Sequence, residues 1–175
     1  VRKPTDLVVG SSQEEVMIMP PATRLGDLCI DGDTVIPLLD GTKQKIKDLV
    51  GQKDFYVYSI DLKTKEIVPG LVEKVWLTGY SECLKITLDN NETLIVTPDH
   101  KMIDINGKFV KAKDLEICSL LLGGVNVFKI IQSYSVKNIE KLEGIRPVYN
   151  MTVSDTHTYA LDIGIFIKNC TGHSP

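Results

Sequence analysis

Two thiols, two imidazoles, a hydroxyl and a side-chain amide stand in this chain at the edges of β-like runs. Cys29 opens the segment Cys29 to Ile36, with Gly32, Asp33 and Thr34 inside it. Thr97, Pro98, Asp99 and His100 close an apolar run, His157 follows the run Val148 to Val153, and Asn169 and Cys170 end the β-rich part. A thiol is the strongest side-chain nucleophile at neutral pH, so Cys29 and Cys170 are candidate acyl acceptors. Thr97 and His100, three residues apart at one turn, can hydrogen-bond a scissile amide and move a proton to its departing nitrogen. His157 is the other histidine of the β-rich region, a candidate acid and base for a second step. Asn169 carries an amide nitrogen that can close on its own backbone carbonyl and release whatever follows.

Such groups need a scaffold, and the chain alternates short β-like runs with turn signals. The runs are Thr34 to Leu39 before Asp40 and Gly41, Phe55 to Ile60 before Asp61, Val72 to Thr78, Glu82 to Leu88 before Asp89, Thr93 to Thr97, Ile103 to Ile105 before Asn106 and Gly107, and Val148 to Val153. Two short helical stretches, Ile46 to Val50 and Ala112 to Leu115, interrupt them. The pattern predicts an all-β domain. Residues 1–28 are a turn-rich leader without amphipathic period. A faint repeat relates Leu84–Leu88 to Tyr149–Val153, each followed by a turn, another strand and a histidine, His100 or His157. That suggests a pseudo-twofold assembly delivering polar groups to one cleft.

The whole chain has 175 residues, 43% of them hydrophobic and 25% charged, with a formal charge of -3. That is room for one domain with short flanks, and the charge gives no general attraction to nucleic acid or anionic lipid. The longest apolar stretch, Leu115 to Val127, is interrupted and shorter than the ~20 residues a membrane helix needs. No apolar segment of signal type follows the first residues, so a cytoplasmic location is expected. The cysteines at 29, 83, 118 and 170 lack the spacing of a zinc finger, and Cys83 and Cys118 are expected as buried, reduced residues.

Taken together, the ordered set formed by Cys29 with Gly32-Asp33-Thr34, Thr97 to His100, the run Val148 to Val153 with His157, and Asn169-Cys170 resembles an intein. The stretch 29–169 looks like a mini-intein of the Hint (Hedgehog/intein) superfamily without an endonuclease insert. The resemblance implies a horseshoe-like, pseudo-twofold β domain at 29–169, an N-terminal flank at 1–28 and a C-terminal flank at 170–175. It implies autocatalytic, single-turnover protein splicing by a monomer that acts on its own flanks and needs no cofactor. Cys29 would take the acyl group of Leu28 as a thioester, Thr97 and His100 would assist, Cys170 would receive the acyl group in a branched intermediate, and Asn169 would cyclise with His157 as acid and base. The bonds cut would be Leu28-Cys29 and Asn169-Cys170.

Two positions depart from the family pattern. Lys168 stands where inteins usually have histidine; it can donate to the scissile carbonyl but is a poor proton shuttle. Asn150 stands where many have aspartate; it can orient a thiol but is no carboxylate base. Slow cyclisation and loose coupling follow, so a bacterial intein-like domain that mainly cleaves its ends is the alternative within the superfamily. A Cys/His metal-binding β-module is the alternative outside it. Close approach of Cys29 and Cys170 would also expose them to oxidation and, with His157 or His100, to inhibitory zinc. The flanks, Met19 to Leu28 joined to Cys170 to Pro175, resemble the start of a PAAR-repeat spike-tip protein, in which His173 would belong to the host.

Overall fold

A computed structural model of the chain describes residues 29–124 and 131–169. Within them the chain forms strands β1 (Ile30–Asp31), β2 (Val35–Pro37), β3 (Lys43–Lys45), β4 (Phe55–Asp61), β5 (Glu66–Ser81), β6 (Leu84–Leu88), β7 (Thr93–Val96), β8 (Lys101–Ile103), β9 (Phe109–Lys111), β10 (Leu120–Gly123), β11 (Gln132–Lys141), β12 (Arg146–Val153), β13 (Thr158–Ala160) and β14 (Phe166–Lys168). Single-turn 3-10 helices at Ile46–Leu49 and Ala112–Asp114 bury Ile46, Leu49 and Ala112. The leader and the residues from Cys170 onward lie outside the described residues.

The turns follow from local chemistry. Asp61 Oδ1 accepts the N–H groups of Lys63 and Thr64, closing the β4–β5 hairpin, and Asp104 Oδ1 accepts those of Asn106 and Lys108 between β8 and β9. An aspartate that caps backbone two residues on is a standard turn former. Gly107 supplies the positive φ of 82° that this second turn requires.

Eight strands form one antiparallel sheet in the order β10-β11-β6-β7-β1-β12-β5-β4. Its midline runs between β7 and β1, with four strands on either side. The sequence repeats across that line. The β1 side continues into the β2–β3 hairpin and the first 3-10 turn; the β7 side continues into the β8–β9 hairpin and the second. Asp33 holds Lys45 and Lys47, and Asp99 holds Lys111 and Lys113, in matching ion clusters. β6 and β12, the two segments whose likeness is visible in the sequence, occupy mirrored places in this order. A further sheet, β13-β14-β8-β9, stands beside the large one.

Between the sheets a main core gathers Cys29, Ile30, Val72, Val75, Ile86, Val96, Met102, Met151, Val153, Tyr159 and Ile167, among others. β11 sets Tyr134, Val136 and, past a bulge between Val136 and Asn138, Ile139 against the core, and pairs with β6 and β10. Among the described residues the secondary structure is almost wholly strand, as the sequence pattern predicts. Cys83 is buried, but Cys118 is exposed at a turn with φ 74°, so the expectation of two buried thiols holds for only one.

β5 carries two bulges against β12. Glu73 is the extra residue between the pairs Thr152–Lys74 and Val153–Val72, and Thr78 is the extra residue between Tyr149–Leu77 and Val148–Gly79. Hydroxyls pin both: Ser154 Oγ bonds the Glu73 carboxylate, and Thr78 Oγ1 donates to the Val148 carbonyl. Bulges bend and re-aim a strand. These two bracket the part of β12 that bears Asn150.

Candidate functional site

Strand register brings the reactive positions together in two rows. β1 lies between β7 and β12, with Ile30 opposite both Val96 and Tyr149. One residue earlier, the same registers set Cys29 opposite Thr97 on one side and Asn150 on the other. Opposed residues in antiparallel strands point to the same face. All three are buried. The contact is direct: the Cys29 N–H donates to Thr97 Oγ1 at 3.1 Å, and the Thr97 N–H donates to the Cys29 carbonyl at 2.9 Å. That N–H belongs to the amide that joins Cys29 to the leader. Cys29 has a φ of 95°, in the left-handed region that costs a non-glycine residue on the order of 1–3 kcal/mol.

The second row lies in the four-stranded sheet. Thr158 pairs with Lys168, and Ile167 with Met102; one residue beyond the first pair His157 falls beside Asn169, and continuing the second register by two residues sets His100 in the same row. The Asn169 N–H donates to the His157 carbonyl at 2.8 Å. Asn169 is buried and held at two further atoms. Its Oδ1 accepts the backbone N–H of Val153 at 3.0 Å, and its carbonyl oxygen accepts Lys168 Nζ at 3.1 Å. A donor on Oδ1 stabilises the imidate form and so makes the amide nitrogen a better nucleophile. A cation on the backbone carbonyl oxygen stabilises the charge that grows there on attack.

The turn Thr97–His100 connects the rows, with the His100 N–H donating to the Thr97 carbonyl. His100 is fully buried, and its Nε2 has no hydrogen-bond partner among the described residues. Burial, with the Lys168 ammonium adding to it, pushes its pKa down to about 3. His100 is therefore neutral at pH 7, and a resting imidazolium donor is not available. His157 has a left-handed backbone, an exposed side chain and no side-chain hydrogen bond among the described residues.

Cys29 is disulfide-bonded, whereas Cys83 and Cys118 are free. Cys170 and Leu28 lie outside the described residues. Among the described residues no three His, Cys, Asp or Glu side chains gather as a metal-ligating group, so Cys29, His100 and His157 do not form the expected zinc set by themselves. Sequence reasoning missed Val153, whose contribution is a main-chain N–H that no residue type signals. It also missed Phe109, whose ring centroid lies 5.5 Å from Lys168 Nζ.

A pseudo-twofold β assembly with a buried Cys/Thr pair at its midline and a clamped asparagine at the adjoining sheet defines a Hint-type self-processing domain. Residues 36–124, just over half the chain, match the intein splicing domain. The chain belongs to the intein splicing domain family, whose chemistry is autocatalytic protein splicing in cis. A DnaB intein from Synechocystis sp. superposes with a TM-score of 0.75 at 24% identity, over 81% of this chain and 98% of that one. A bacterial intein-like domain from Clostridium thermocellum gives 0.66 at 22% identity, over 81% and 98%. Among curated proteins, reverse gyrase of Methanocaldococcus jannaschii is 38% identical over 112 residues, 61% of this chain and 7% of that protein. The replicative DNA helicase DnaB of Rhodothermus marinus is 28% identical over 88 residues, 48% of this chain and 9% of that protein. The matched segment thus makes up less than a tenth of the length of these two relatives.

Proposed function

We propose that residues 29–169 excise themselves from a precursor and join Leu28 to Cys170, with 1–28 and 170–175 as the flanks. The observation that carries this reading is that one turn, buried at its two ends, serves both rows: Thr97 holds the amide nitrogen of Cys29, and His100 stands in the row beside Asn169. The host protein in this reading is PAAR-like, from the resemblance of its joined flanks.

Neutral His100 takes the Cys29 thiol proton, and the thiolate attacks the Leu28 carbonyl carbon. As the carbon–nitrogen bond breaks, the imidazolium returns its proton to the Cys29 amine, which Thr97 Oγ1 has held in place. A pKa near 3 makes the imidazolium short-lived and a strong donor. Breaking the amide also releases the left-handed strain at Cys29. The Cys170 thiol then displaces the Cys29 sulfur, which recovers a proton, and the leader becomes an acyl group on Cys170. Asn150 orients the Cys29 thiol during this exchange.

Asn169 Nδ2 next attacks the Asn169 carbonyl carbon. The bond to Cys170 breaks, a succinimide forms, and the proton lost by the amide passes to the Cys170 amine. Lys168 stabilises the oxyanion, and His157, exposed beside the junction, exchanges the proton. An S-to-N acyl shift completes the Leu28–Cys170 peptide bond. Cleavage without ligation is the second reading; Asn150, which has no carboxyl group to couple the two steps, favours it.

The test is mass spectrometry of the full chain before and after reduction. A disulfide-bonded Cys29 sulfur is no nucleophile, so ligated flanks and free domain should appear only with reductant. Cys29→Ala should abolish ligation and keep cleavage after Asn169; Asn169→Ala should stop at the interconverting Cys29 and Cys170 thioesters, from either of which added thiol releases the leader. Leader release from Cys29→Ala under the same thiol would sink the scheme.

A further inference from the structure

We propose that Phe109 is a positioning residue for cleavage after Asn169, seating the Lys168 ammonium against the scissile carbonyl; this rests on the splicing role given to Asn169. Lys168 ends β14 with its Nζ 3.1 Å from the Asn169 carbonyl oxygen and 5.5 Å from the centre of the Phe109 ring. Phe109 opens β9 and is 45% exposed, a large apolar side chain left at the surface. Register explains the meeting. Lys168, Lys101 and Lys111 fall in one row across β14, β8 and β9, and Phe109 stands two residues from Lys111 on the same face. The Lys168 side chain reaches across β8 to the ring.

An ammonium that must stabilise an oxyanion needs a fixed place without losing its charge. Lysine has a long flexible stem, so most of its conformations take Nζ away from the carbonyl. A carboxylate would hold it but would also neutralise it. The face of an aromatic ring attracts the cation through its quadrupole and leaves N–H donors for the carbonyl. Lys111, two residues from Phe109 on the same face, lies 3.9 Å from Asp99, which Lys113 also pairs at 3.0 Å.

The experiment uses the full reduced chain carrying Cys29→Ala, so that only release of the C-terminal flank is read, by mass spectrometry over time. Phe109→Leu keeps the apolar bulk and removes the π face; it should slow release about three- to fivefold, the fold-change expected for an exposed cation–π contact. Phe109→Trp should keep or raise the parent rate. In a Lys168→Met background, Phe109→Leu should have no further effect, because the group it positions is gone. Urea unfolding should show Phe109→Leu losing no more than the ~0.5–1 kcal/mol of that contact. A parent that releases no flank overturns both readings. A parent that releases it, with a Phe109→Leu effect that persists without Lys168, is absent, or is shared by Phe109→Trp, overturns the role of Phe109 alone.

Discussion

At the scale of single residues, His100 joins chemistry to stability. Its pKa falls from 6.5 to about 3 on folding, first because burial disfavours the charged ring and second because Lys168 is cationic. Between these values the unfolded chain binds a proton that the folded chain refuses. The stability tied to a neutral His100 is therefore complete above pH 6.5 and is lost as the pH falls toward 3, at about 1.4 kcal/mol per pH unit. His100→Asn, polar and not titratable, should remove this loss. Urea unfolding at about pH 7 and pH 4.5 should show the parent losing ~2–3 kcal/mol more than the variant. Equal losses would mean that the folded protein accepts the proton, and with it that His100 reaches solvent. The variant should also lose thioester formation at pH 7, which a thiol-release assay reads independently.

Among the elements, β12 and β5 set the geometry for the step proposed at Asn169. Val153 ends β12, and its N–H reaches Asn169 Oδ1 just where the Glu73 bulge interrupts the ladder. Behind it, Gly70 of β5 leaves no room: a Cβ there would meet Val153 Cγ1 at 2.7 Å and Ser59 Cβ at 2.9 Å. Ser59 cannot yield easily, since its hydroxyl bonds the Thr158 carbonyl and the Thr156 and Thr158 hydroxyls. Gly70→Ala should thus cost about 1–3 kcal/mol of stability, the range for overpacking a closed core. Because Val153 gives way first, release after Asn169 should slow more than thioester formation does. Gel quantification of the two cleavages, with a urea midpoint, checks both expectations; equal slowing would mean a general loss of fold.

For the whole molecule, the site joins positions far apart in the chain. Cys29 lies between β7 and β12, and Ile30 pairs with Tyr149, more than a hundred residues away. Non-local antiparallel pairing of this kind closes late in folding. Splicing should therefore begin only after β12 has docked. In refolding from urea under reductant, ligated product should appear after a lag that matches the recovery of tertiary structure. Its rate constant should not change over about a hundredfold dilution, as a reaction in cis demands. A rate that falls with dilution would show that residues from a second copy complete the site.

What the sequence offers by itself is a candidate chemistry and its order along the chain. Asn169 followed by Cys170, or Thr97 three before His100, says little alone; the ordered set is legible because reactivity belongs to side chains. Half of the strands, β2, β4 to β8 and β12, are legible as well, for alternation and turn residues are local physics, although β8 runs Lys101–Ile103 rather than Ile103 to Ile105. The short strands β1, β3, β9, β10, β13 and β14 are not, since two to four residues carry no period and are strands only because distant partners bond them, and the ten-residue β11 is not, because a bulge breaks its alternation. Nor could the sequence tell that His100 is neutral, that Cys118 is exposed, or that a backbone N–H of Val153 holds the Asn169 side chain. Those facts depend on which groups are left without water and which meet across sheets, and only the tertiary structure sets that. The Lys168 departure shows the division most plainly. Its loss of proton-shuttle capacity is read from its type, whereas its place between the Asn169 carbonyl and the Phe109 ring comes from the register of three strands.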